Sequence, residues 1–117
     1  LFLLKMIAYL SLIPNFLHMH TDIIIHADGF TNEREFIDHE VTKNLSGKLD
    51  AYIKKYEKPD AKSRLELTLT RTKNGEFSGK TSLIVDGTSF RSERENYKKL
   101  DDLISHLFTH LKEQLAK

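Results

Sequence analysis

Two histidines one helical turn apart, His106 and His110, and two adjacent aspartates, Asp101 and Asp102, are the residues here that most invite a chemical reading. A histidine pair at i, i+4 can chelate a metal. No cysteine occurs in the chain and no third ligand stands near in sequence, so the pair is expected to be solvated or to face RNA. Adjacent residues on a helix diverge by about 100°. Asp101 and Asp102 therefore cannot converge as a general acid and base, and the expected place for them is an acidic helix start, which the helix dipole favours. His18 and His20, either side of Met19, are no better supplied with partners. There is no glycine-rich phosphate loop, no serine elbow and no H-E-x-x-H helix. Without cysteine, a disulfide scaffold, a thiol nucleophile and a cysteine-based zinc site are excluded. The chain is expected to be no enzyme, with neither cofactor nor metal.

The positive side chains say more. The 117 residues carry a net charge of +1, so no global field points to nucleic acid. Position matters more than the sum. At 100° per residue, Lys99, His106, His110 and Lys117 share one narrow stripe, with Asp101 projecting elsewhere. Lys48 and Lys55, seven residues apart, share a line on an earlier helix. Between Lys62 and Lys99 there are nine Lys/Arg against five Asp/Glu, a local excess. The candidate phosphate-binding set is Lys48, Lys55, Lys62, Arg64, Lys80, Arg91, Arg94, Lys98, Lys99, His106 and His110. Such groups grip phosphates without reading sequence. An ordinary salt-bridged surface is the alternative.

The elements that would position these residues follow from periodicity. TDIIIHA, residues 21–27, is β-branched, short and bounded by Asp28-Gly29, and reads as a strand. Ile37, Val41, Leu45, Leu49, Tyr52, Ile53 and Tyr56 recur at threes and fours, an apolar helical stripe. Thr31 or Asn32 can cap it, with Glu35 at capping-box spacing from Asn32. Gly47 weakens the helix and Lys58-Pro59-Asp60 ends it. The period then changes to two, with Leu65, Leu67 and Leu69 alternating with polar residues. Asn74-Gly75 and Asp86-Gly87 are tight turns. They delimit a strand at 77–85, where Gly79 marks a bulge or close approach, and a short strand at 88–92. A second amphipathic helix follows, on Tyr97, Leu100, Leu103, Ile104, Leu107, Phe108, Leu111 and Leu115. The expected fold is an α+β, β-α-β-β-β-α two-layer sandwich, with two helices on one face of a four-stranded sheet.

In residues 21–117 the chain resembles the ribosome hibernation-promoting factors and ribosome-associated inhibitors. The resemblance rests on the element order, on IHADGFTNEREFIDHEV with the following Lys48-Leu49, and on DGTSFRSERENYKKLDDLISHLFTHLKEQLAK. In the last block Glu95-Asn96-Tyr97 is followed by Leu100, Leu103-Ile104, Leu107 and Leu111 at the family's spacing. The resemblance implies a non-enzymatic cytoplasmic factor that binds small-subunit rRNA in the mRNA channel, across the decoding sites. It would block mRNA and tRNA and silence translation in stationary phase or stress. The family carries a Lys/Arg cluster spanning its two helices. Lys48 occupies one such position, whereas His106, Thr109 and Glu113 replace the others, leaving Lys99, His110, Lys112 or the sheet arginines to compensate. Gly47 implies a one-residue slip in the first helix relative to the family. Ending at Lys117, the chain looks like a short form. A small RNA- or protein-binding module acting off the ribosome is the competing reading.

Residues 1–20, LFLLKMIAYLSLIPNFLHMH, are unlike the rest. A membrane span needs about 20 apolar residues, and Lys5 and Pro14-Asn15 interrupt this run. No small-residue cleavage pattern precedes Thr21. The stretch reads as an atypical apolar extension, with no membrane role, whose residues 1–18 dock on a ribosomal protein or on the domain itself.

Overall fold

Two apolar helical stripes and one alternating sheet bury most surface when both helices lie on the same face. The computed structural model, which describes residues 21–56 and 62–117, has this arrangement. Strands β1 (Thr21–His26), β2 (Ser63–Arg71), β3 (Phe77–Val85) and β4 (Thr88–Tyr97) form one sheet in chain order. β2, β3 and β4 are an antiparallel meander, and β1 runs parallel to β2 across a helical crossover. Among the described residues no helix is long and apolar enough to cross a membrane. The extension at 1–20 and the helix stop at Lys58-Pro59-Asp60 lie outside the described residues.

The first helical arm changes type as it goes. A 3-10 turn (Thr31–Glu33) leads into α1 (Arg34–Asn44), then a π-helical segment (Leu45–Leu49), then α2 (Asp50–Ile53) and a closing 3-10 turn (Lys54–Tyr56). The apolar spacing explains the π segment. Ile37, Val41, Leu45, Leu49 and Ile53 are four apart and all buried. On a regular α-helix each step of four drifts by about 40°, so the stripe would wind off the sheet. The amide of Asp50 bonds the Leu45 carbonyl, five residues back, and this wider turn restores the phase. Gly47, where a slip was expected, sits inside it.

The capping box does not form. Phe30 takes the N-cap position of the first turn without a side-chain cap bond, its own amide bonding the Ala27 carbonyl at 3.1 Å. Phe30 is buried and meets Phe77 at a 6.0 Å ring-centroid distance, so an apolar anchor sets the start of the arm. Arg71 covers this corner, 4.7 Å from the Phe30 ring centroid and 2.6 Å from the Glu33 carboxylate.

The last strand is longer than its turn signals suggest. β4 runs to Tyr97, and the final helix α3 begins only at Leu100 (Leu100–Leu115). Tyr97 therefore belongs to the sheet, where it pairs with Phe77. Full-length pairing with the nine-residue β3 outweighs the helical propensity of Arg-Glu-rich 91–95. At the two-residue turn Asp86 and Gly87 both have positive φ, 49° and 82°, the geometry that suits strand twist.

α3 is held by its whole apolar face: Leu103, Ile104, Leu107, Phe108 and Leu111 are fully buried. Gly79 makes the close approach possible. A Cβ there would meet Leu69 Cδ2 at 2.9 Å and Leu107 Cδ1 at 3.1 Å, and the register shifts beside it, between Phe77 and Gly79. Gly79→Ala should destabilise the domain by about 1–3 kcal/mol, as overpacking does, read by denaturant unfolding. Two positions on, the Thr81 hydroxyl is buried without a hydrogen-bond partner among the described residues. Thr81→Val keeps the shape, removes that polar atom and should gain about 1 kcal/mol in the same assay.

Candidate nucleic-acid interface

With one sheet face under the helices, cations can gather on the open sheet face, along the groove between helices, or where α3 meets the edge strand β4. The three places differ in chemistry.

On the open face Arg64, Lys80 and Arg91 line a shared trough, with Glu66 and Glu93 also in its wall. Arg64 lies 3.5 Å from Glu66, and His26 lies 3.5 Å from the same carboxylate. Lys80 and Glu93 are cross-strand partners. Strand alternation makes this pattern: positions two apart share a face, and Arg64/Glu66 and Arg91/Glu93 each place opposite charges two apart. The result is a solvated, charge-alternating surface rather than a basic one, and its exposed pairs contribute about 0–1 kcal/mol each.

The helix groove is different. Lys48 turns its ammonium onto α3, donating to the Ser105 carbonyl at 2.9 Å, the Ser105 hydroxyl at 2.8 Å and the Thr109 hydroxyl at 3.0 Å. All three protons are used within the chain, so Lys48 staples the two helices together. Burial pushes its pKa below the ordinary lysine value, and the nearby charges of Lys112 and Lys43 add to this, against an opposing contribution from Glu40. Lys43 and Lys48 would stand about 140° apart on a regular α-helix; with the π segment between them, the Lys43 charge acts on Lys48. Lys43, absent from the sequence-derived set, and Lys112 are exposed on this groove, and among the described residues no ion pair engages them.

At the third place α3 runs beside β4 and bonds it once per turn. His106 Nδ1 is 2.7 Å from the Tyr97 hydroxyl, His110 Nδ1 is 3.1 Å from the Ser92 hydroxyl, and Gln114 Nε2 donates to the Arg91 carbonyl. Spacing of four puts 106, 110 and 114 on one flank. Arg94, Tyr97, His106, Thr109, His110 and Glu113 line a small cleft of about 260 Å³. Glu113 stands in this cleft because it follows His110 by three, a near-neighbour spacing. Asp101 and Asp102 occupy the first turn of α3 as expected, Asp101 Oδ1 accepting the Asp102 amide at 3.0 Å. Among the described residues no three His, Cys, Asp or Glu side chains converge as metal ligands.

The structure thus divides the eleven sequence-derived residues among several surfaces. Arg64, Lys80 and Arg91 lie on the open face; Arg94, His106 and His110 share the cleft. Lys48 faces α3 on the helix side. Lys55 sits 4.9 Å over the Tyr52 ring near the end of the first arm. Lys62 is exposed just before β2, and Lys98 and Lys99 are exposed where β4 passes into α3.

The lowered pKa of Lys48 has a checkable consequence. Between its folded value and the unfolded 10.5, the unfolded chain binds more protons, so stability rises with pH across that window. The penalty for holding the charged form is complete at lower pH. Denaturant unfolding from neutral pH towards 10.5 should show wild type gaining stability relative to Lys48→Met. Lys112→Gln, which removes a like charge, should shrink that gain. Parallel profiles would show that the ammonium is not penalised by folding.

No protein-family model matches the chain, and no curated protein matches it. Among solved structures it is similar to the N-terminal domain of Protein Y from Thermus thermophilus, at 18% identity and a TM-score of 0.54. The match covers 80% of this chain and 94% of that one. At this identity the likeness shows a shared fold.

Proposed function

We propose that the chain is a ribosome hibernation factor of the cytoplasm. It binds the small ribosomal subunit in the mRNA channel at the decoding sites, blocks mRNA and tRNA, and silences translation in stationary phase or stress. One observation carries the reading: the strand-helix-three strands-helix order that the sequence resemblance requires is the order this chain adopts. Its fold is shared with the Thermus Protein Y N-terminal domain. Such a factor needs shape and cations toward rRNA rather than an active site, since rRNA helices are recognised largely by backbone and form.

The geometry favours the helix side as the contact surface. There the cations of the groove and the cleft lie either side of Thr109, which bonds Lys48 and also lines the cleft. On the open face Glu66 pairs with Arg64 and His26, and Glu93 stands among Lys80 and Arg91. The proposed docking of residues 1–18 on a ribosomal protein concerns a segment outside the described residues.

Co-sedimentation with purified small subunits tests this reading. At low salt the protein should pellet with the subunits and be displaced by mRNA with initiator tRNA. Lys43→Glu with Lys112→Glu should weaken binding about tenfold or more, whereas Arg64→Glu with Lys80→Glu should change it less than about threefold. Recovery only in the soluble top fractions would overturn the proposal. Binding indifferent to mRNA and tRNA would favour a module acting off the ribosome, because fold alone does not fix function.

A further inference from the structure

We propose that His106 and His110, together with Arg94, form a seat for an RNA phosphate whose positive charge is set by pH. The inference rests on the reading above that the helix side faces RNA, and adds a regulation of that surface.

The anchors of the two rings are the reason. Each imidazole rests through Nδ1 on a hydroxyl, Tyr97 for His106 and Ser92 for His110. A hydroxyl can donate or accept. Facing a neutral ring it donates to Nδ1; once the ring is protonated, Nδ1–H donates to the same oxygen. A backbone amide in that place would reject the charged ring, and a carboxylate would hold it charged. Hydroxyl anchors let both rings gain a proton without leaving their positions. Nε2 of each remains for an outside acceptor, and histidine is the side chain whose charge changes near neutrality.

The charges around the rings make that proton count. From β4, Arg94 and the edge of the Tyr97 ring face His106, at a 5.3 Å centroid distance for the tyrosine. On α3 itself Asp102 lies one turn before His106, and Glu113 closes the cleft beyond His110. On its other side His110 borders the sheet trough with Lys80 of β3 and Arg91 and Glu93 of β4. From the first helical arm Lys48 reaches the Thr109 hydroxyl at 3.0 Å. Within the cleft Arg94 and Glu113 balance while the histidines are neutral. Protonation of both turns a balanced cleft into a cationic one.

Anisotropy titration of a short RNA hairpin with the full chain, at about pH 8 and about pH 5.5 over a salt series, reads the added contacts. Each phosphate neutralised steepens the slope of log K against log salt by about 0.7–0.9, so two charged histidines should steepen it by about 1.5 at the lower pH. His106→Gln with His110→Gln keeps groups that can bond the hydroxyls but removes the titration. It should show the wild-type pH 8 slope at both values, which also separates these rings from the other histidines. His106→Lys should be steep at both. Equal wild-type slopes at the two pH values, or unchanged pH dependence in the double Gln variant, would overturn the proposal. Absence of RNA binding at either pH would overturn the reading beneath it as well.

Discussion

The contact between α3 and the sheet at Gly79 is what the rest of the arrangement depends on. Because β3 lacks a side chain there, Leu107 can approach to where a Cβ would stand, 3.1 Å from its Cδ1, and the whole apolar face of α3 settles on β3 and β4. A helix seated that low brings its next flank level with the sheet edge. His106, His110 and Gln114 then reach β4 by hydrogen bonds, and the edge strand, which would otherwise offer a free row of backbone groups, is partly covered. The register shift beside Gly79 and the positive φ of Asn96, 62°, belong to the same accommodation. Packing in the core therefore decides which side chains line the surface cleft.

The first arm solves a different problem with the same outcome. Its apolar residues recur every four positions, a period an α-helix cannot keep against a sheet for five turns. One wider turn at 45–49 repairs the phase. Lys48, inside that turn, is presented to α3, and Lys43 stands near enough for its charge to act on Lys48. Three like charges on one groove would repel. Lys48 keeps its charge but turns its three donors onto Ser105 and Thr109, which leaves Lys43 and Lys112 as the cations available outside. The half-buried Lys48 is thus a joint between helices, and its neighbours are the better candidates for touching an anion.

Much of this frame was legible in the residues. The leucines of 65–69 fix the inward face of β2 by alternation, Asn74-Gly75 and Asp86-Gly87 place the turns, and Gly79 announces close approach because little else excuses a glycine inside a strand. The junction of β4 and α3 was not legible. Residues 91–97 carry no apolar alternation, so only pairing with β3 reveals them as strand. The capping box was misread for a similar reason: a buried Phe30 chose the start of the helix, and burial of one aromatic outweighs a cap of about 1 kcal/mol. At the candidate site the cation types were readable but not their partners. Lys48 finds Ser105 57 residues away, and no local spacing foretells it. Helical projection places His106, His110 and Glu113 on one flank, since seven residues bring Glu113 within about 20° of His106.

A chain with a net charge of +1 attracts a polyanion only if its charges are segregated. The fold does this by giving its two exposed surfaces different neighbours. On the open sheet, side chains two apart are forced to the same face, and the opposite charges at those spacings cancel locally. Along the helices the neighbours are three and four apart, and at those spacings from Lys112 the sequence sets Thr109 and apolar residues rather than carboxylates. Glu40, Asp102 and Glu113 are the carboxylates on this side, Glu40 three before Lys43, Asp102 one turn before His106 and Glu113 in the cleft. What remains on the helix side is a set of cations whose partners are hydroxyls and carbonyls, groups that hold a charge in place without neutralising it. Long-range attraction to phosphate survives such bonding, whereas it does not survive an ion pair. The same total charge thus yields one surface suited to solvent and another suited to RNA.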